Sequence, residues 1–312
     1  MKNSIKHLLC LSLCAAALQT AASAQTLLLE YSFDDYTAGS TTAKNTGSLG
    51  SAADLTLYDA VGITSGSRVG TAADLYSAAN AGLRNAGRAF DNTASTGMGS
   101  GGNTNTGNRA QATGVSATLQ SFTIAGWFKT DGSASIGDGA KIFETTGSGI
   151  TVSASVDGRL NLYVNGSASS DFVRSGTTGS TEYGAAASWV FFAITYDGSL
   201  TTDNVKFYVG SENDAVSQVG GTMSLAKGSV TLSSAEIALG NSLNSNSRSF
   251  DGLIDDIRLY GNDGATSGVL TPAQLESLRA GAIPEPSTVA LIAGASILGA
   301  VLVVRRRRSI RM

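Results

Sequence analysis

Along the middle of the chain, apolar and small polar residues alternate in short runs separated by Gly, Ser, Thr, Asn and Asp. Ser121–Lys129 (SFTIAGWFK) sets Phe122, Ile124, Gly126 and Phe128 against Thr123, Ala125, Trp127 and Lys129, the period of two that belongs to a strand with two distinct faces. Leu27–Phe33, Lys141–Glu144, Ile150–Val156 and Leu160–Val164 also read as strands, with Asp157-Gly158 as a tight hairpin turn between the last two. Trp189–Tyr196 (WVFFAITY) is nearly continuous in apolar character, as a central strand is, and runs into Asp197-Gly198. Val205–Val209, Val230–Leu232, Ile237–Leu239 and Gly252–Tyr260 complete the strands. One soluble helix is predicted, Pro272–Ala280, with Thr271 as N-cap, Pro272 in the first turn and Gly281 at its end. From Ala38 to Ala117 the pattern is weaker, and Gly97–Gly114, rich in Gly, Asn and Thr, reads as a long surface loop. So many short strands in one span predict an all-β fold, an antiparallel β-sandwich or jelly roll with one short helix.

Two further helices are expected at the ends. The first 24 residues carry a basic start (Lys2, Lys6), an apolar run from Leu8 to Leu18, and Ala22-Ser23-Ala24 where a signal peptidase reads small residues. They read as a signal peptide cleaved after Ala24. At the other end, Ser287–Val304 is uncharged and mostly apolar, long enough as a helix to span roughly 27 Å of bilayer core. Arg305, Arg306, Arg307 and Arg308 follow it and would stay cytoplasmic, leaving the body outside. The expected organisation is therefore signal peptide 1–24, body 25–282, and anchor segment 283–312 with its transmembrane helix at 287–304.

Charge changes the picture of the body. The whole chain has net charge −3, but between residues 25 and 284 there are 14 basic and 23 acidic residues, a net charge of −9. An acidic body repels phosphate backbones, which argues against nucleic-acid binding. The two cysteines, Cys10 and Cys14, and the single histidine, His7, all lie in the leader. A processed protein has no disulfide, thiol catalyst, imidazole base or His-ligated zinc.

Pro284-Glu285-Pro286, the apolar helix and the Arg cluster together resemble the PEP-CTERM sorting signal. That resemblance implies an exosortase-type processing enzyme as partner, and an exported protein of a polysaccharide-making Gram-negative envelope that is first held in the inner membrane. The body resembles the LamG-like (concanavalin A-like) jelly-roll family. Leu29–Asp34 looks like its opening strand, Ser121–Lys129 like its "SFTVSAWVK" strand, and Trp189–Gly198 like "W-H-H-V-A-V-T-Y-D-G", with Phe191 where His is common. Val205–Val209 fits the next strand, Phe250–Tyr260 resembles "F-x-G-x-I-D-E-V-R-I-Y", and Leu270–Leu275 resembles the closing helix.

Jelly rolls of this type host both glycan binders and glycosidases, so the fold alone does not decide function. Hydrolysis needs two carboxylates facing one cleft, and the compact Glu-x-Asp-x-x-Glu strand of hydrolases on this fold is missing. Glu212-x-Asp214 is the nearest spacing and lies in a polar turn; the body holds only six Glu. Calcium accepts an all-oxygen site, and the resemblance places an ion near the acid of the last strand. Asp35 and Asp256 are the candidate ligands, followed by Asp34 and Asp255; the competing reading pairs Asp255 or Asp256 with Arg258 or a turn. Trp127 and Trp189 fit core packing better than sugar stacking, because both sit inside apolar runs. Arg68, Arg84, Arg88 and Arg109 read as solvated. The leading expectation is a non-catalytic envelope or matrix module that binds exopolysaccharide, a surface glycan or a protein partner. A purely structural role and a divergent glycoside hydrolase are the alternatives.

Overall fold

The computed structural model describes residues 25–59, 68–93, 107–130, 139–155, 158–176, 188–243, 248–262 and 268–281. The candidate signal segment with Ala22 and Ala24, the Pro284-Glu285-Pro286 motif, the helix 287–304 and Arg305–Arg308 lie outside the described residues. The described residues fall within one unit, Gln25–Ile283. Its strands are β1 (Thr26–Tyr31), β2 (Thr42–Ala43), β3 (Leu55–Asp59), β4 (Arg68–Val69), β5 (Phe90–Asp91), β6 (Arg109–Leu119), β7 (Ser121–Thr130) and β8 (Ala140–Thr145). There follow β9 (Ile150–Ala154), β10 (Leu160–Val164), β11 (Phe172–Arg174), β12 (Val190–Asp197), β13 (Val205–Ser211), β14 (Ser217–Met223), β15 (Val230–Leu239) and β16 (Gly252–Asn262). Two helices are described, α1 (Ala72–Leu75) and α2 (Pro272–Arg279).

All these strands pair antiparallel, in two sheets. Sheet A runs β1-β16-β7-β12-β13-β14, with β5 beside β16; sheet B runs β11-β10-β9-β8-β15-β6-β3-β2, with β4 beside β3. The inward faces share one apolar core. From sheet A come Phe122, Ile124, Phe128, Phe192, Ile194, Tyr196 and Ile257, and from sheet B Leu57, Ile142, Phe143, Ile150, Val152, Leu160, Leu162 and Ile237. Gly126 of β7 also points inward; a Cβ there would lie 2.4 Å from Ile257 Cδ1, so the glycine makes room for that side chain. The sandwich predicted from the alternation is thus the observed architecture.

The central strands of sheet A, β7, β12 and β16, are buried on both faces. The sheet's outward side chains Ala125, Trp127, Phe191, Ala193, Tyr208 and Tyr260 form a second apolar layer with Leu270, Leu275 and Leu278 from α2 and its approach. Two covering layers explain why Trp189–Tyr196 reads as continuously apolar: neither side of β12 meets water. Helix α2 is capped as its sequence requires. Gln274 N–H donates to Thr271 Oγ1, and Gln274 Oε1 accepts from the Thr271 N–H at 2.9 Å. Gly281 follows it at φ +71°, the left-handed conformation that ends helices.

Two expectations need correction. Residues 109–114, read as part of a surface loop, begin β6, which lies between β15 and β3 in the middle of sheet B. Val230–Leu232 and Ile237–Leu239 are one strand, β15, carried across bulges opposite Val115, with Ser234 at φ +48°. Strands β11 and β14 had no sequence signal strong enough to be anticipated.

Candidate functional site

With the centre of sheet A packed under α2, the polar layer to consider is the outward face of sheet B, much of it buried. Inward side chains on β8, β9 and β10 are Ala140, Ile142, Phe143, Ile150, Val152, Ala154, Leu160, Leu162 and Val164, so the alternate residues point out. The registers set these in two rows. One row runs Phe172–Tyr163–Thr151–Glu144–Ala238–Gln111–Thr56 across seven strands. The row beside it runs Arg174–Asn161–Ser153–Lys141. The outer layer of sheet B is therefore built from hydroxyls, amides, charges and aromatic rings, where the outer layer of sheet A is apolar.

Tyr163 and Phe172 stack face to face, with ring centroids 4.7 Å apart and planes 26° apart. Lys141 Nζ lies 5.6 Å from the Tyr163 centroid, and the Arg174 guanidinium lies 5.3 Å from the Phe172 centroid. Both carboxylates of this face are engaged. Glu144 Oε1 is 3.2 Å from Lys141 Nζ while its Oε2 accepts the Leu243 N–H at 2.8 Å; Glu236 Oε1 accepts from Gln111 Nε2 at 2.9 Å. Towards the opposite edge, Arg109 donates to the Ser242 carbonyl at 2.8 Å and lies 5.4 Å from the Tyr58 ring. Burial lowers the Arg109 pKa from its ordinary value. Thr151, Ser153 and Asn161 are fully buried although they point outward.

The four aspartates proposed for calcium are brought partly together at the bulge of β16. Asp255 is buried; its Oδ2 accepts the Leu83 N–H at 3.0 Å and its Oδ1 accepts the Asp256 N–H at 2.8 Å. Burial, with the adjacent Asp256 charge, pushes Asp255 up to about 8. Asp256, at φ +50°, is 3.2 Å from Arg258, whose Nε also donates to Glu30 at 2.8 Å. Burial raises the Asp256 pKa, against the pull of Arg258. Asp34 is exposed near this pair, whereas Asp35 turns away to accept from Tyr76 Oη at 2.8 Å and from the Lys44 N–H at 2.9 Å. Among the described residues no group of three or more acidic, His or Cys side chains is placed to hold a metal ion. Calcium takes about six to eight oxygens; here the guanidinium of Arg258 already supplies the cation to Asp256 and Glu30, and both Asp255 oxygens have backbone donors. The side chains as arranged do not fit the ion, and the geometry follows the competing reading, an arginine pair and a turn cap.

Trp127 and Trp189 are both buried, under the α2 layer of sheet A. Glu212 and Asp214 sit in the turn between β13 and β14, where Asp214 accepts from Ser211 Oγ at 2.7 Å. Of the four arginines read as solvated, Arg68 and Arg84 are exposed, Arg68 pairing with Asp59. Arg88 and Arg109 are half-buried over the Tyr36 and Tyr58 rings, so for them the expectation is corrected.

A family model described as the concanavalin A-like lectin/glucanases superfamily matches residues 102–267. The chain belongs to that superfamily. No curated protein matches it in sequence. Among solved structures, the fold is similar to domain 4 of AbnA, a GH43 extracellular arabinanase from Geobacillus stearothermophilus in complex with arabinotriose. That match has 20% identity, covers 82% of this chain and 100% of the other, and has a TM-score of 0.50. The native heptameric SAP-like pentraxin from Limulus polyphemus matches at 14% identity over 55% of this chain and 75% of that one, with a TM-score of 0.38. The binding domain of botulinum neurotoxin DC in complex with SialylT matches at 13% identity over 83% and 51%, with a TM-score of 0.48; the chain spans about half of that one. As a concanavalin A-like protein, the chain carries its outward polar rows on β8–β11. Sequence reading missed them because Lys141, Glu144, Thr151 and Tyr163 are ordinary outward residues of alternating strands until the register aligns them.

Proposed function

We propose that the body is a non-catalytic glycan-binding module of an exported envelope protein, and that it binds through the outward face of sheet B. The observation that carries this reading is the contrast between the two outer layers. The centre of sheet A is closed by α2 over a second apolar cluster, whereas sheet B turns out a stacked Tyr163–Phe172 pair beside Arg174, Thr151, Ser153 and Asn161. Aromatic rings next to hydrogen-bonding side chains suit a sugar, which offers C–H faces to rings and hydroxyls to polar atoms. The arabinotriose complex of the arabinanase domain of similar fold is consistent with this class of ligand. The engagement of Glu144 by Lys141 and Leu243, and of Glu236 by Gln111, supports a binder over a hydrolase, which needs one free acid and one free base at the scissile bond.

Export is supported by the residues at the two ends: the basic and apolar leader before Ala24, and Pro284-Glu285-Pro286 with its apolar helix and Arg cluster. In this reading an exosortase-type enzyme handles the protein at the inner membrane, and the module then meets exopolysaccharide at the cell surface.

The test is a glycan array probed with the full chain, followed by Tyr163→Ala. The expected outcome is a defined set of bound glycans, with affinity reduced about tenfold or more by Tyr163→Ala, in line with the loss of one aromatic contact. Glycans that bind equally well to the variant would place the contact surface elsewhere.

A further inference from the structure

We infer that Thr151 and Asn161 form the hydrogen-bonding floor of a neutral sugar subsite on β9 and β10, and that Lys141 is a strap lying across it. The inference rests on the glycan-binding reading and assigns the residues that would read the ligand.

Buried polar atoms nearly always find hydrogen-bond partners, because leaving one bare costs about 1–3 kcal/mol. Thr151 Oγ1 and Asn161 Oδ1 are fully buried and have none within the protein. Both belong to outward positions, since the residues alternating with them, Ile150 and Val152 on β9 and Leu160 and Leu162 on β10, fill the core. They lie diagonally across one strand pair, where Thr151 opposes Tyr163 and Asn161 opposes Ser153. Asn161 Nδ2 donates to Ser153 Oγ at 3.3 Å and the amide oxygen is left without a partner. A hydroxyl that can donate or accept and a carbonyl oxygen that can only accept, set on a diagonal of one strand pair beside a phenol ring, suit the hydroxyls of a sugar ring.

Lys141 covers this floor. Its backbone opposes Ser153, in the Asn161 row, yet its ammonium sits in the neighbouring row, 3.2 Å from Glu144 Oε1 and 5.6 Å from the Tyr163 centroid. Glu144 and Tyr163 are the two cross-strand neighbours of Thr151. The ammonium therefore lies by Glu144 and Tyr163, the two residues that flank Thr151, and makes no hydrogen bond to the Thr151 hydroxyl. The Lys141–Glu144 pair is largely enclosed, so moving the lysine has a cost that a ligand must offset with its own contacts. A sugar entering the subsite would displace the lysine and give Thr151 and Asn161 their missing partners.

The experiment uses the full chain. A panel of neutral arabino-, xylo-, gluco-, galacto- and manno-oligosaccharides is screened, and the tightest binder is titrated calorimetrically against wild type, Thr151→Val, Asn161→Leu and Lys141→Met. Thr151→Val and Asn161→Leu are close in volume and remove unpartnered polar atoms. Each should weaken binding at least tenfold while leaving the melting temperature unchanged or higher. Lys141→Met keeps the stem's bulk but loses the tether to Glu144, and should bind as tightly as wild type or several-fold tighter. Binding that survives both floor substitutions overturns the subsite while leaving the glycan reading intact. A loss with Lys141→Met as large as that with Thr151→Val overturns the strap and makes the lysine a direct contact. No binding by wild type to any sugar on the panel overturns the subsite and the glycan reading together.

Discussion

At the scale of single residues, the strongest electrostatic commitment is Asp255. Its carboxyl is buried at the β16 bulge, beside Asp256, and holds the 83–85 turn through the Leu83 N–H. Burial raises it to about 8, so it binds a proton in the folded state through a range in which the unfolded chain, with an ordinary aspartate near about 3.9, does not. The sign follows from linkage: where the folded state holds the extra proton, stability falls as pH rises. The contribution is complete below about pH 4 and is lost as pH passes about 8, with a slope of at most about 1.4 kcal/mol per pH unit. Asp255→Asn cannot ionise, but its amide nitrogen cannot accept the second backbone donor. The variant should be less stable than wild type at pH 4, by about 1–3 kcal/mol, and this gap should narrow as pH rises to 9. Urea melts at several pH values check it; a gap independent of pH would mean that Asp255 is ionised in the folded protein throughout.

At the scale of elements, α2 sets the two sheets apart by covering the centre of one of them. Leu275 is fully buried and Leu278 nearly so, against Trp127, Phe191 and Tyr208. Leu275→Ala should cost about 2–5 kcal/mol through lost burial and the cavity it leaves, measured by chemical denaturation, while leaving binding at the sheet B face unchanged. If that variant lost glycan binding while still folded, the assignment of function to sheet B would fail. The helix was legible because its start and stop are local: Thr271, Pro272, Gln274 and Gly281 carry the signal themselves. So were β7, β10, β12 and β16, whose runs of large apolar residues follow a strand's burial. Strand β6 was not, because its inward positions include Ala110 and Ala112, and Gly114 at φ +80° breaks the alternation. Small residues fill the space between β15 and β3 without leaving a hydrophobic pattern to read. The candidate site was still less legible. Its side chains are polar by design of the alternation, and only the cross-strand registers of β8 to β11 show Lys141 lying by Glu144 and Tyr163, which flank Thr151.

At the scale of the whole molecule, the described residues of the body hold both apolar clusters. Among the described residues the first member of these clusters is Leu27 and the last is Leu278. A processed module would lose Lys2, Lys6 and the tail arginines, and the body's net charge of −9 would no longer be offset. That charge favours solubility and discourages association with other acidic surfaces. If the sorting reading holds, protein recovered from the native host should begin at Gln25 and end before Arg305, with no mass species retaining the Arg cluster once it has left the inner membrane. Intact mass spectrometry of the secreted or surface fraction measures both ends at once. Recovery there of a chain still carrying Arg305–Arg308 would make the C-terminal segment a retained membrane anchor and remove the need for a processing enzyme. A mass beginning at Met1 would count against cleavage after Ala24, and would leave Cys10, Cys14 and His7 in the mature protein, reopening the thiol and imidazole chemistry that their removal excludes.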